Sequence, residues 1–295
     1  MSKRLFSILL GLAVLAVIAG VGLGVLRSTN DLGFGPTGDC TATVDGYSVD
    51  VTGEQAENAT LIASIAMRRG MPARATSIAL ATAMQESKLT NLTAGDRDSV
   101  GLFQQRPSQG WGSRKQLLNR VYATNRFFDA LEKVRGYESM DITVAAQRVQ
   151  RSAYPDAYAA HEDDARTLAS ALTGYSPAAF TCDLSGAAPT ADAVHAAGGL
   201  SGRAIAVRHD LRMRFGGLDI RKGPHGDGTV LLAGISGHAE RSVYGWALAQ
   251  YLVGNASRLQ IRSVGFDHKT WHAGGKGWES DPGVGDSQVR VEVFS

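Results

Sequence analysis

An uncharged run over residues 5–26, made of leucine, alanine, valine, isoleucine and glycine and broken only by Phe6 and Ser7, constrains this chain more than any other feature. As a helix rising about 1.5 Å per residue, such a run is long enough to cross a hydrocarbon core of about 30 Å. Lys3 and Arg4 precede it. Basic flanks stay on the cytoplasmic side, so the reading is N-terminus inside and everything after Arg27 outside. The competing reading is a cleaved signal peptide, whose apolar region is usually only about 7–15 residues long. No clean small-x-small cleavage site comes after the run. A retained membrane anchor is therefore expected, placing the protein in the cell membrane as a single pass. Either reading exports the rest of the chain.

Export decides what Cys40 and Cys182, the only cysteines, are expected to do. In an oxidising compartment a disulfide is the natural state, with two free thiols as the alternative. The loop-entropy model gives so long a closure about 4–5 kcal/mol. With no histidine pattern near them, the pair does not make a zinc site. A formal charge of +2 and the lack of any long basic stretch give no argument for nucleic acid.

Residues 1–26 read as a cytoplasmic tip and anchor, and 27–39, rich in Gly, Ser, Thr and Asn, as a linker. From 54 to 172 the pattern is helical. Ala56, Ala59, Ile62, Ala63 and Ala66 fall near one face, Gly70 is a stop, and Pro72 suits the first turn of a helix running to Glu86. Residues 89–111 are dense in Gly, Asp, Asn and Pro and read as a long loop. Further helices are expected over about 114–134, 141–151 and 157–172, with Asp141 as an N-cap and Gly174 near the last end. Residues 183–200 read as a second linker. The remainder, 201–295, changes character. Helices are expected over 203–215 and 243–253, a strand over 229–232, and a period-two strand over 288–294. The expected fold class is multidomain: an N-terminal transmembrane helix, a mainly-α domain over 40–182, and a small α+β C-terminal domain over 201–295.

Glu86 closes the apolar helical run 76–86. A carboxylate there faces the negative end of the helix macrodipole, and apolar neighbours add a desolvation cost for its charged form. Both effects favour the protonated carboxyl, the form a general acid needs. Alone, a glutamate at a helix end also reads as a solvated residue.

The loop after Glu86 changes that reading. Gln85-Glu86-Ser87, with Gly101-Leu102-Phe103-Gln104-Gln105 downstream, resembles the Glu-Ser … Gly-Leu-Met-Gln signature of soluble lytic transglycosylases of the lysozyme superfamily. The longer stretches 79–89 and 95–112, and Ala146-Gln147-Arg148-Val149-Gln150-Arg151-Ser152-Ala153-Tyr154-Pro155-Asp156-Ala157-Tyr158, resemble the lysozyme-like domain of exported actinobacterial wall proteins. The resemblance covers about 54–173 and implies a lysozyme-like fold for the mainly-α domain. It implies cleavage of the β-1,4 bond between N-acetylmuramic acid and N-acetylglucosamine, with peptidoglycan glycan strands as the partner and no cofactor. Glu86 would act as acid and then as base. Gln104 matches the motif glutamine, expected to hold the sugar or orient Glu86. Gln105, Trp111, Gln150 and Tyr158 are expected along the groove, where amides and aromatic faces suit sugars. The family's late Tyr-Asn-Ala-Gly is missing, and Gln147-Arg148-Val149-Gln150 with Ser152 occupies that region. Product type therefore stays open between an anhydro sugar and hydrolysis, with Asp96 or Asp98 as a candidate second carboxylate. A catalytically silent wall-binding or scaffold protein is the rival reading.

The segment 201–295 resembles exported C-terminal domains related to zinc D-Ala-D-Ala peptidases. His238 stands in the first ligand position, but no aspartate stands in the second and the late strand Gln288-Val289-Arg290-Val291 carries no histidine. A catalytic zinc usually takes three protein ligands, so no metal is expected. His268 and His272, four apart, could share a helix face as an alternative pair, but the Gly and Trp nearby argue for a loop.

Overall fold

Thr52 opens the helical part of the molecule with a capping box, its hydroxyl accepting from Gln55 N while the Gln55 side chain accepts from Thr52 N. The computed structural model describes residues 39–152, 154, 156–184, 195–196, 199–224, 228–235 and 240–295, all within one unit, Thr37–Ser295. The first part contains β1 (Cys40–Val44), β2 (Tyr47–Val51), α1 (Gly53–Arg68), α2 (Ala73–Ser87), α3 (Arg114–Leu117), α4 (Arg120–Leu131), α5 (Ile142–Gln150), α6 (Glu162–Leu172) and β3 (Phe180–Cys182). After it come β4 (His195–Ala196), β5 (Leu200–Ser201), α7 (Gly202–Phe215), β6 (Asp219–Lys222), β7 (Val230–Gly234), α8 (Arg241–Gly254) and α9 (Ala256–Leu259). The chain ends with β8 (Ile261–Phe266), β9 (Lys269–His272), β10 (Trp278–Ser280) and β11 (Gln288–Val293).

Helix α2 is the hub of the first part. Its alanines give it high helix propensity and a thin profile, so α1, α5 and α6 pack closely around it. From Ala75 to Ala83 every side chain is buried, as expected of a helix without a polar face. Strand β1 pairs antiparallel with both β2 and β3. Cys40 lies directly opposite Cys182 in that register, and the two are joined as the expected disulfide.

The second sheet is antiparallel, in the order β10-β9-β8-β11-β7-β6. In β11, Val289, Val291 and Val293 are buried while the residues between them are partly exposed, the alternation of a strand with one face on a core. Helix α8 covers that core. Gly245 marks how closely it lies, because a Cβ there would sit 2.1 Å from Phe266 Cζ on β8.

The fold class read from the sequence is corrected. Among the described residues no helix is long and apolar enough to cross a membrane. The segment 5–26, on which the anchor expectation falls, lies outside the described residues. In place of a mainly-α part beside a separate small module, strands and helices make one mixed α+β unit. The physical reason is α8. Its residues from Gly245 to Gly254 are all buried, so both of its sides need cover. It packs on β8 and β11 and also on α1, α6 and β3. Buried Gln250 within it accepts from Phe180 N at 2.8 Å and donates to Ala171 O at 2.6 Å. Trp271 Nε1 donates to Thr181 Oγ1 at 3.1 Å, and Trp278 Nε1 to Phe180 O at 2.9 Å, across the same seam.

Candidate functional site

Glu86 owes its position to the way α2 ends. Lys88 and Leu89 both take left-handed backbone conformations, and Leu89 N bonds back to Ala83 O at 3.0 Å, a Schellman-type stop. Helix α1 closes the turn from the other side: Gln55 Nε2 donates to Lys88 O at 2.8 Å and Asn58 Nδ2 to Leu89 O at 2.7 Å. The last turn of α2 is thereby held rigidly, with Glu86 half-buried on it.

The two halves of the sequence motif meet through Ser87. Its buried hydroxyl donates to Leu102 O at 2.7 Å. Leu102 and Phe103 are fully buried, and Phe103 stacks on Phe127 of α4 at 4.6 Å between centroids. Apolar anchoring under the loop, rather than loop polarity, sets where Gln104 and Gln105 go. Asp98 is the loop's polar latch. It accepts from Ser108 N at 2.7 Å, Arg106 Nε at 2.8 Å and Ser108 Oγ at 3.0 Å. The backbone N–H of Ser108 first, and then Arg106, hold its carboxyl well below the usual carboxylate range.

Glu86 opens into a cleft of about 530 Å³, whose lining includes Asp96, Gln104, Gln105, Trp111 and Gln150. Tyr158, fully buried beneath, donates its hydroxyl to Glu86 Oε1 at 2.7 Å. Burial, with the hydrogen bond and charge of Glu86 adding to it, pushes the Tyr158 hydroxyl above its ordinary value. It remains a donor. Among the described residues Glu86 Oε2 has no hydrogen-bond partner.

The structure thus brings Glu86, Gln104, Gln105, Trp111 and Gln150 to one cleft and sets Tyr158 under it. Their placements differ from the expected ones in detail. The Gln104 amide is engaged inside its own loop, accepting from Ser99 Oγ at 2.9 Å and donating to Gly101 O at 3.1 Å. It rests where Gly95 has no side chain, since a Cβ there would fall 1.6 Å from Gln104 Oε1. Gln105 is only 2% exposed; it donates to Ala123 O at 3.3 Å, and its buried Oε1 has no partner among the described residues. Gln150 ties α5 to the loop, donating from Nε2 to Phe103 O at 2.7 Å. Tyr158 touches the carboxyl rather than presenting an aromatic face to the cleft.

Of the two aspartates, Asp96 lines the cleft with its side chain 92% exposed. Asp98 has both oxygens engaged in the latch. Arg97, Gln109 and Arg151 also line the cleft and were not singled out by sequence reasoning, and Ser152, named only as standing where the family motif is missing, lines it too. Arg151 and Ser152 lie in the stretch where the family pattern is lost. Their residue types carried no signal of their own.

His238 lies outside the described residues. His268 is in the turn between β8 and β9 and His272 on β9, so they share no helix face. In comparisons with known proteins, no family model matches this sequence and no curated protein matches it.

Proposed function

We propose that this chain is an extracytoplasmic enzyme that cleaves peptidoglycan at the β-1,4 bond between N-acetylmuramic acid and N-acetylglucosamine. One observation carries the reading: Glu86 stands at the rigid end of a buried helix, in an open cleft, with one oxygen held by Tyr158 and the other without a protein partner among the described residues. The motif resemblance around Glu86 and the disulfide support it, the latter because disulfides persist in oxidising compartments.

In this reading Glu86 Oε2 carries the proton. It passes to the glycosidic oxygen as the C1–O bond breaks and an oxocarbenium-like centre develops. The carboxylate left behind then takes a proton from the attacking hydroxyl. If that hydroxyl is the muramic acid's own 6-OH, the product is a 1,6-anhydro sugar. If it is water, the product is a reducing end. Asp96 is the carboxylate at the cleft that would assist water; Asp98 is committed to the loop.

A second reading, a wall-binding protein with a silent lysozyme-like site, draws on a specific observation. The Gln104 amide is engaged within its loop, and Gln105 is buried. Mass spectrometry of muropeptides released by the purified protein and its Glu86→Gln variant separates the two. Products that lack one water and require Glu86 identify a lytic transglycosylase. Reducing ends that require Glu86 identify a muramidase. Binding to sacculi with no release by either protein sinks the enzymatic reading.

A further inference from the structure

We propose that the groove continues past Trp111 into a cationic compartment that binds the carboxylates of a peptide stem carried by the glycan; this rests on the peptidoglycan reading. A second cleft, of about 560 Å³, shares Gln109, Trp111, Gln150 and Arg151 with the Glu86 cleft, so the two lie side by side. Its charged lining is Arg126, Lys133, Arg148, Arg151 and a single acid, Asp129. That acid is already neutralised. Asp129 Oδ1 meets Arg69 Nη2 at 2.9 Å, and its Oδ2 meets Arg126 Nη1 at 3.3 Å. Lys133, Arg148 and Arg151 have no ion-pair partner among the described residues.

Three uncompensated cations along one groove, from the end of α4 and the end of α5, repel one another and focus a positive potential there. A helix C-terminus favours basic residues, which accounts for charge on Arg148 and Arg151. The same holds for Lys133, which follows the C-cap of α4; the dipole does not explain why both helix ends line one compartment. All three residues are exposed, so water solvates them, and an anion held between them would relieve their repulsion. Because the compartment adjoins the cleft that would hold the sugar, the anion is best supplied by a substituent covalently attached to that glycan. Peptide-stem carboxylates have this chemistry. Phosphodiester-linked wall polymers share it and form a separate arm of the test.

The test measures kcat and KM of the purified protein and its Lys133→Gln/Arg148→Gln double variant on three substrates. These are stem-bearing strands, the same strands with stems removed by an amidase, and stem-bearing strands freed of phosphodiester-linked polymer. The wild type is expected to show a KM on stem-bearing strands lower by about tenfold than on bare ones, of the order of two exposed charge-assisted contacts. The double variant is expected to lose that preference, in KM rather than in kcat, with a flatter salt dependence. Equal KM values on stem-bearing and bare strands overturn the proposal. So does a preference that disappears only when the phosphodiester polymer is removed. If neither substrate is cleaved, the enzymatic reading has failed, and cosedimentation with the strands decides the groove separately. Weaker binding of the double variant to stem-bearing strands upholds it, and equal binding overturns it.

Discussion

The hydroxyl of Tyr158 donates a 2.7 Å hydrogen bond to Oε1 of Glu86 across 72 residues of sequence. A buried phenol under a half-buried carboxyl leaves Glu86 one oxygen without a hydrogen-bond partner among the described residues and fixes the direction in which that oxygen points. Tyr158→Phe keeps the ring and removes the contact. As the proton leaves, Glu86 becomes a carboxylate, and a hydrogen bond to a charged group contributes about 1.5–3 kcal/mol, so glycan cleavage is expected to fall about 10–100-fold. Circular dichroism should show the fold retained. A loss of less than about threefold in kcat/KM would deny Tyr158 a positioning role.

Ser87 joins the helix that carries Glu86 to the loop that carries the glutamines. Ser87→Ala leaves Leu102 O buried without this donor, at a cost of about 1–3 kcal/mol. Urea denaturation should register the loss, and amide exchange over 101–105 should quicken. Unchanged exchange in that loop would count against the link.

Replacing both cysteines with serine removes the bond between the facing residues of β1 and β3. The expected destabilisation is about 2–5 kcal/mol. The midpoint of chemical denaturation should drop by the same amount when the wild type is reduced. A reductant-insensitive midpoint would show that the sheet holds without the bond.

The Asp98 latch makes loop stability depend on acid. Its carboxyl is held below its ordinary value of 3.8 in the folded protein. The stabilisation is therefore fully present above about pH 4, and it declines as pH falls towards the lower, folded value. Asp98→Asn should lower stability at pH 6 and flatten the decline below pH 4 in a series of denaturation midpoints. An unaltered acid limb in the variant would rule the latch out as its source.

Gly245→Ala places a methyl group against the Phe266 ring. Overpacking of this kind costs about 1–3 kcal/mol. The melting temperature reports it, and an unchanged value would mean that α8 can move off the sheet without cost.

Sequence and structure divide this protein in an intelligible way. Local patterns located the first two helices well and the later ones only in part, since residues 157–161 of the helix expected over 157–172 form a 3-10 turn. The apolar periodicity that ends at Gly70, and the run from Pro72 to Glu86, correspond to α1 and α2 within a residue or two. The expected helix over 114–134 splits where Asn119 caps a new start, a break that a polar side chain signals only weakly. The alternating strand at the C-terminus was legible because one face is wet. Strand β8 was not, because most of its residues are buried and period two disappears. The cysteine pairing was legible because the chain has only two. At the site, the family resemblance of the motifs pointed to Glu86, Gln104, Gln105, Trp111, Gln150 and Tyr158. Only the tertiary structure decided their separate tasks. Hydrogen-bond partners such as Ser99 for Gln104, Phe103 O for Gln150 and Glu86 for Tyr158 are set by the folded chain. Burial and long-range packing, which no local window contains, choose among them. The same holds for α8: its apolar sequence demands cover on all sides, but only the folded chain determines what provides it.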